Sequence, residues 1–205
     1  LTIGQDKLTI EANTDVAVTR NNDFAVTVTG RPNQKYFLWL EGTSSMGGTN
    51  DQPPKIKEGQ TGVSLGDAEA GAYNFSTIAG RTVSSDVPPA PAGGVNPWYA
   101  AVTTDDNGKR TIGLSTDAQT KDKTYTIRVQ WTDPATGNFK YDTVKVEVVK
   151  GAVTITTSGN QSFFLGEEIT LSGENTDSEM IYLFLTGPNV ASAGASLTSL
   201  TPVVN

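Results

Sequence analysis

The chain has 205 residues, 18% charged and 36% apolar, with 21 glycines and 10 prolines, which fits a loop-rich globular protein and excludes a disordered one. Its formal net charge of -7 argues against a nucleic-acid partner, because phosphate binding calls for a basic patch. Cysteine and histidine are both absent, which removes disulfides, thiolate metal sites, the usual zinc ligand and the commonest general base.

No stretch approaches the roughly 20 apolar residues of a membrane helix, so no direct membrane insertion is expected of this chain. It begins Leu-Thr-Ile-Gly without Met and stops at Val204-Asn205 in mid-pattern. The expectation is a piece of a longer, processed polypeptide.

Leu8–Ala12 and Asp15–Thr19 alternate apolar and polar side chains, the period of a half-buried strand. After the turn cluster Asn21-Asn22-Asp23, Phe24, Val26 and Val28 alternate again. Tyr36-Phe37-Leu38-Trp39-Leu40-Glu41-Gly42 is the most apolar run, and its length suits a strand rather than a helix. Strands at this spacing predict an all-β sandwich.

Between residues 43 and 97 the register is lost, and Pro53-Pro54 and Pro88-Pro89-Ala90-Pro91 lie in this insertion. A loop this long is expected to hold structure of its own: short strands at Gly62–Leu65 and Tyr73–Ile78 and a helical turn at Asp67–Ala70. Val87–Pro97 is predicted to run as extended surface chain with polyproline character.

Trp98–Thr103 and Lys109–Ser115 flank Asp105-Asp106-Asn107-Gly108 and read as a hairpin, since Asn-Gly between two such runs is a strong hairpin signal. Thr124–Trp131 puts Tyr125, Ile127, Val129 and Trp131 on one face, and Tyr141–Val149 returns after the turn Asp133–Asn138. Tyr125 is either a tyrosine corner, its hydroxyl tied to the preceding loop, or a plain cross-strand core residue.

At Lys150-Gly151 the pattern restarts. Val153-Thr154-Ile155 parallels Leu8-Thr9-Ile10, Ile169–Gly173 parallels Val26–Gly30, and Leu183–Gly187 parallels Leu38–Gly42. Three anchors at offsets of 143–145 residues make an internal repeat. The expected organisation is an Ig-like β-sandwich over residues 1–150 with its insertion at about 43–97, followed by the opening half of a second Ig-like sandwich over 151–205.

The order of these pieces resembles the surface-layer glycoproteins of methanogenic archaea and related tandem Ig-like surface proteins. The residues behind it are Tyr36–Met46, Asp51-Gln52-Pro53-Pro54, Trp98–Asp105, Thr120–Val129 and Phe164–Gly173. Trp39 resembles the tryptophan that anchors the central strand of Ig-like sandwiches. Trp39, Trp131 and Tyr125 are thus structural positions. The resemblance implies an extracellular, cell-surface chain, a lattice built from many copies of itself, glycosylation and calcium. Independently, Asn74-Phe75-Ser76 and Asn160-Gln161-Ser162 fit the glycosylation sequon.

Catalytic chemistry finds no footing. Ser-x-x-Lys, Gly-x-Ser-x-Gly and the phosphate-cradling Gly-rich loop are absent, and no spacing pairs the carboxylates of the insertion. Asp105, Asp106 and Asp133 put oxygen ligands of the kind calcium prefers into turns, although Asp occupies turns for backbone reasons alone. The reading is therefore a non-enzyme that builds an extracellular surface layer. The alternatives are an adhesin or carbohydrate-binding module using Trp98 and the insertion, and an accessory domain of a larger secreted enzyme.

Overall fold

A computed structural model describes residues 7–14, 17–159, 162–164, 166–177, 180–188, 190 and 194–196. Residues 9–149 form two β-sheets. Strands β1 (Thr9–Ala12), β2 (Val18–Thr19), β3 (Asp23–Thr29) and β4 (Lys35–Glu41) come first. The insertion supplies β5 (Lys55–Ile56), β6 (Val63–Leu65), α1 (Ala68–Ala72) and α2 (Val83–Asp86). Strands β7 (Tyr99–Thr103), β8 (Lys109–Ser115), β9 (Lys123–Thr132) and β10 (Phe139–Val149) follow.

The smaller sheet has the order β1-β3-β8-β5 and the larger β2-β10-β9-β4-β7-β6. All pairs are antiparallel except β2 with β10. The two sheets share one core, so this part of the chain is a β-sandwich. Phe24, Val26, Val28, Ile56, Ile112 and Leu114 enter the core from the smaller sheet. Leu38, Leu40, Val102, Ile127, Val129 and Val146 meet them from the larger. Fully burying each such side chain contributes about 1.5–3 kcal/mol.

The 43–97 stretch is integral to both sheets. It crosses to the smaller sheet, where Lys55 and Ile56 pair with Ser115 and Leu114, then returns to pair β6 with β7. Helix α1 follows, with the Asp67 carboxylate accepting from the Ala70 N–H as its N-cap. Tyr73–Ile78 is not a strand: Asn74 makes one isolated bridge to Thr82, and residues 76–78 form a bend. The proline-rich stretch lies on the surface only in its middle, because Val87, Pro88, Asn96 and Pro97 are buried. The Asn96 amide holds its two ends together, donating to Pro88 O at 2.9 Å and accepting from Trp98 N at 3.0 Å.

The expected β7–β8 hairpin does not form. The Asp105–Lys109 turn closes as the sequence predicts, with Gly108 at φ +73° donating to Asp105 O. The flanking strands then diverge into different sheets. Val102 fills the core from one sheet while Ile112 and Leu114 fill it from the other, so both apolar sets stay buried. Gly108 also lies against the Gly30 carbonyl, where a Cβ would clash.

Beyond Gly151 the chain forms two short pairs, β11 (Thr156–Thr157) with β12 (Leu171–Ser172), and β13 (Phe184–Leu185) with β14 (Ala195–Ser196). β11 and β12 pair antiparallel as β1 and β3 do, but Leu171 faces Thr157 where the repeat alignment sets it opposite Ile155. Ile155, Phe164, Met180, Tyr182, Phe184 and Leu185 are exposed, and no residue beyond Val148 belongs to the core among the described residues. Deleting residues 151–205 is therefore expected to shift the melting temperature of the sandwich by less than about 4 °C, roughly 1 kcal/mol. Leu38→Ala, at the core centre, is expected to cost about 2–5 kcal/mol. Differential scanning calorimetry distinguishes the two.

Candidate functional site

The outer face of the larger sheet, turned away from the core between the sheets, carries a connected set of side-chain contacts. Alternation along β4 sends Tyr36, Leu38 and Leu40 inward and Phe37 and Trp39 outward. Trp39 is therefore not the inter-sheet anchor that the Ig-like resemblance implies; Leu38 and Leu40 occupy that core. Trp39 is fully buried all the same, because the insertion folds over it. Its ring lies 5.3 Å from Phe75, and Phe37 lies 4.5 Å from Tyr73. The buried Asp86 carboxylate accepts from Trp39 Nε1 at 3.0 Å and from Gly42 N at 2.9 Å, pinning α2 to the end of β4.

Arg128 marks the edge of this cover. Its Nη1 donates to Glu41 Oε1 at 2.8 Å, and its Nε and Nη2 donate to Gln130 Oε1 at 2.9 and 2.6 Å. The buried Gln130 amide in turn donates to the Tyr73 hydroxyl and to Phe75 O. The guanidinium stands 5.5 Å from the Trp39 ring and 4.0 Å from the Tyr141 ring. Trp39 is the covered side of this column and Tyr141, 56% exposed, the open side.

The joint after the sandwich is held by Asp177. Its Oδ1 accepts from Arg20 Nη2 at 2.7 Å and from Gly151 N at 3.2 Å, and its carbonyl accepts from Asn21 Nδ2. The Arg20 hydrogen bond is the main force holding the Asp177 carboxyl below its ordinary range. Gly151 packs directly on the Thr176 and Asp177 backbone, leaving no room for a Cβ.

The remaining sequence-derived positions fall in several places. Trp131 faces the core, edge-on to Tyr36 at 6.3 Å, with Arg31 5.0 Å from its ring. The Tyr125 hydroxyl donates to Lys121 O at 2.7 Å, the backward contact of a tyrosine corner. Trp98 is 3% exposed and donates from Nε1 to Pro53 O, so it offers no stacking platform for an adhesin. The reason is its place at the mouth of β7, where it packs into the core cluster and its indole N–H meets the buried Pro53. Asp105 spends its carboxylate on the N–H groups of Asn107 and Lys109, and the Lys109 bond leads in lowering its pKa. Asp106 accepts from Asn33 and Asp133 from Ala135 N. No three acidic side chains converge among the described residues. Asn74 is exposed, its amide nitrogen facing Arg81 O and Ser76 O, while Asn160 lies outside the described residues. Sequence reasoning missed Arg128, Asp86 and Asp177. Each has a partner far away in the chain, Trp39 at 47 residues from Asp86, Glu41 at 87 from Arg128 and Arg20 at 157 from Asp177, beyond any local spacing.

No protein-family model and no curated protein matches the chain. Among solved structures it is similar to BslA, a bacterial hydrophobin, at 12% identity and TM-score 0.34, over 70% of this chain and 93% of that one. It is similar to AggA, the major subunit of aggregative adherence fimbriae type I from Escherichia coli, at 13% and 0.36, over 70% and 93%. The class 5 fimbriae chaperone CfaA matches at 14% and 0.28, over 91% and 77%.

Asp86→Ala leaves two donors at the Trp39 end of β4 unpaired, and is expected to cost about 2–4 kcal/mol in urea denaturation. It should also speed proteolysis within 43–97. The Tyr125 pKa is raised, first by burial and then by Asp51 and Asp122. The folded state thus holds a proton that the unfolded chain releases near its ordinary value of 10.0. The resulting stability is complete below that pH and is lost as pH climbs above it. Tyr125→Phe is expected to flatten this alkaline decline in urea midpoints measured from pH 8 to 11.

Proposed function

We propose that the chain is a structural unit of an extracellular coat of the surface-layer type, a self-assembling lattice at the cell surface. In this reading the sandwich is Ig-like, residues 1–150 and 151–205 belong to successive modules, and the main partner is another copy of the same protein. The observation that carries the reading is the Asp177 joint. A coat must pass lateral load across module boundaries, and a free linker at Lys150-Gly151 would let neighbouring modules swivel. Here one residue, Asp177, ties the β2–β3 turn and the linker to the segment after β12, through its carboxylate and its backbone carbonyl.

The archaeal source, glycans on Asn74 and Asn160, and calcium-assisted assembly belong to the same proposal. They rest on the sequence resemblance. The buried Trp98 removes the ground for the adhesin alternative built on that residue.

Electron microscopy of cell envelopes or of the purified full-length protein is expected to show two-dimensional arrays. Protein that stays monomeric at high concentration, with and without calcium, would overturn the reading. The joint has its own test, since a cysteine-free chain accepts spin labels at chosen positions. With labels at Asn107→Cys and Thr157→Cys, Arg20→Ala should broaden the distance distribution. The same broadening is expected in the unmutated joint as pH falls through the carboxylate range, because the lowered Asp177 pKa supplies stability only above it.

A further inference from the structure

We propose that the uncovered half of the larger sheet's outer face binds saccharide, with the Tyr141 ring as its stacking platform. Tyr141 is the one aromatic side chain left exposed among the described residues 7–150. Its ring also has a positioned neighbour. The Arg128 guanidinium lies 4.0 Å from it and is fixed by its bonds to Glu41 and Gln130. That contact restricts the ring before binding and so reduces the freedom lost when a ligand arrives.

The surroundings select the ligand class. In β10, Thr143, Lys145 and Glu147 share the face of Tyr141 at alternate positions and are exposed. Across the pair, Thr143 faces Arg128, Lys145 faces Thr126 and Glu147 faces Thr124. The surface is thus a strip along β10, roughly 20 Å from the Tyr141 ring through the Thr143 hydroxyl and Lys145 ammonium to the Glu147 carboxylate. An extended oligosaccharide matches it, because the C–H face of one pyranose stacks on the ring while hydroxyls of the following units reach the polar groups.

A protein partner fits less well. A stable interface buries roughly 800 Å² per side around a cluster of apolar anchors. This face offers a single ring among polar side chains. Nucleic acid is disfavoured by the Glu41 carboxylate on Arg128 beside the platform and by Glu147 at the far end of the strip. The proposal stands apart from the lattice reading, since saccharide binding at this face needs no assembly.

The test titrates cellohexaose and chitohexaose into the isotope-labelled 205-residue chain and follows backbone amide shifts. At least one probe is expected to perturb Arg128, Tyr141 and Thr143 saturably. Tyr141→Phe should keep the affinity, and Tyr141→Ala should lower it about 10-fold, the scale of one lost stacking contact. Arg128→Lys keeps the charge but loses the fork, and should weaken binding with the melting curve still cooperative. Three results would overturn the proposal: no saturable shift with either probe, shifts centred elsewhere, or equal affinity in Tyr141→Ala. Concentration-dependent self-association abolished by Tyr141→Ala would do so too, by assigning the face to a second copy of the chain.

Discussion

Strand β4 is apolar on both faces, and the architecture follows from covering each of them. A sandwich strand ordinarily alternates, so that one face meets the core and the other meets water. Tyr36, Leu38 and Leu40 meet that requirement, but Phe37 and Trp39 create a second surface that water cannot be left to cover. The smaller sheet buries the first set. Tyr73, Phe75 and the helix carrying Asp86 bury the second. Since Trp39 brings an indole N–H into this second layer, the layer needs an acceptor there, and the Asp86 carboxylate supplies it.

The same insertion solves the problem of sheet edges. An uncovered edge strand invites uncontrolled pairing with other chains, and short strands limit it. The outermost strands β1, β2, β5 and β6 are only two to four residues long, and two of them come from within the insertion. On the β1 edge, the Asp142 side chain accepts from Ile10 N at 3.0 Å and so occupies a donor open to strand addition. Lateral contacts of such a module are accordingly better sought on faces and loops than along strand edges.

Period-two alternation made β1, β3, β9 and β10 legible from sequence, β4 stood out as a short apolar run, and β8 followed from the Asn-Gly turn before it; each has at least one face in a common core. The helical turn expected at Asp67–Ala70 corresponds to α1, for which Asp67 serves as the N-cap. The pairing of β7 and β8 was misread because an Asn-Gly turn specifies a local reversal and leaves open whether the strands stay in one sheet. β5 is only two residues long, and its existence depends on Ile56 reaching the core opposite Leu114, which no local pattern reveals. Trp39 and Trp98 show the limit for single residues. Composition marks a tryptophan as important, but only the register and the insertion's path decide which face it takes. Of the outer-face site, Trp39 was visible as a residue, while Arg128 and Tyr141 passed as ordinary members of alternating strands.

Arg128 is what divides that outer face into a structural half and an exposed half. Toward the insertion, its guanidinium helps satisfy the buried Gln130 and lies over Trp39. Toward solvent, it supports Tyr141. A planar, delocalised cation can stack and hydrogen-bond in its own plane at once, which a lysine ammonium cannot. The covered half accounts for the arginine's cost of partial burial. It does not account for the tyrosine, since a cation–π contact at an exposed site contributes only about 0.5–1 kcal/mol. Ordering an exposed ring offsets part of that gain through lost side-chain freedom. Stability therefore gives little reason for an exposed aromatic ring at that position, whereas recognition of a ligand's flat face would use one.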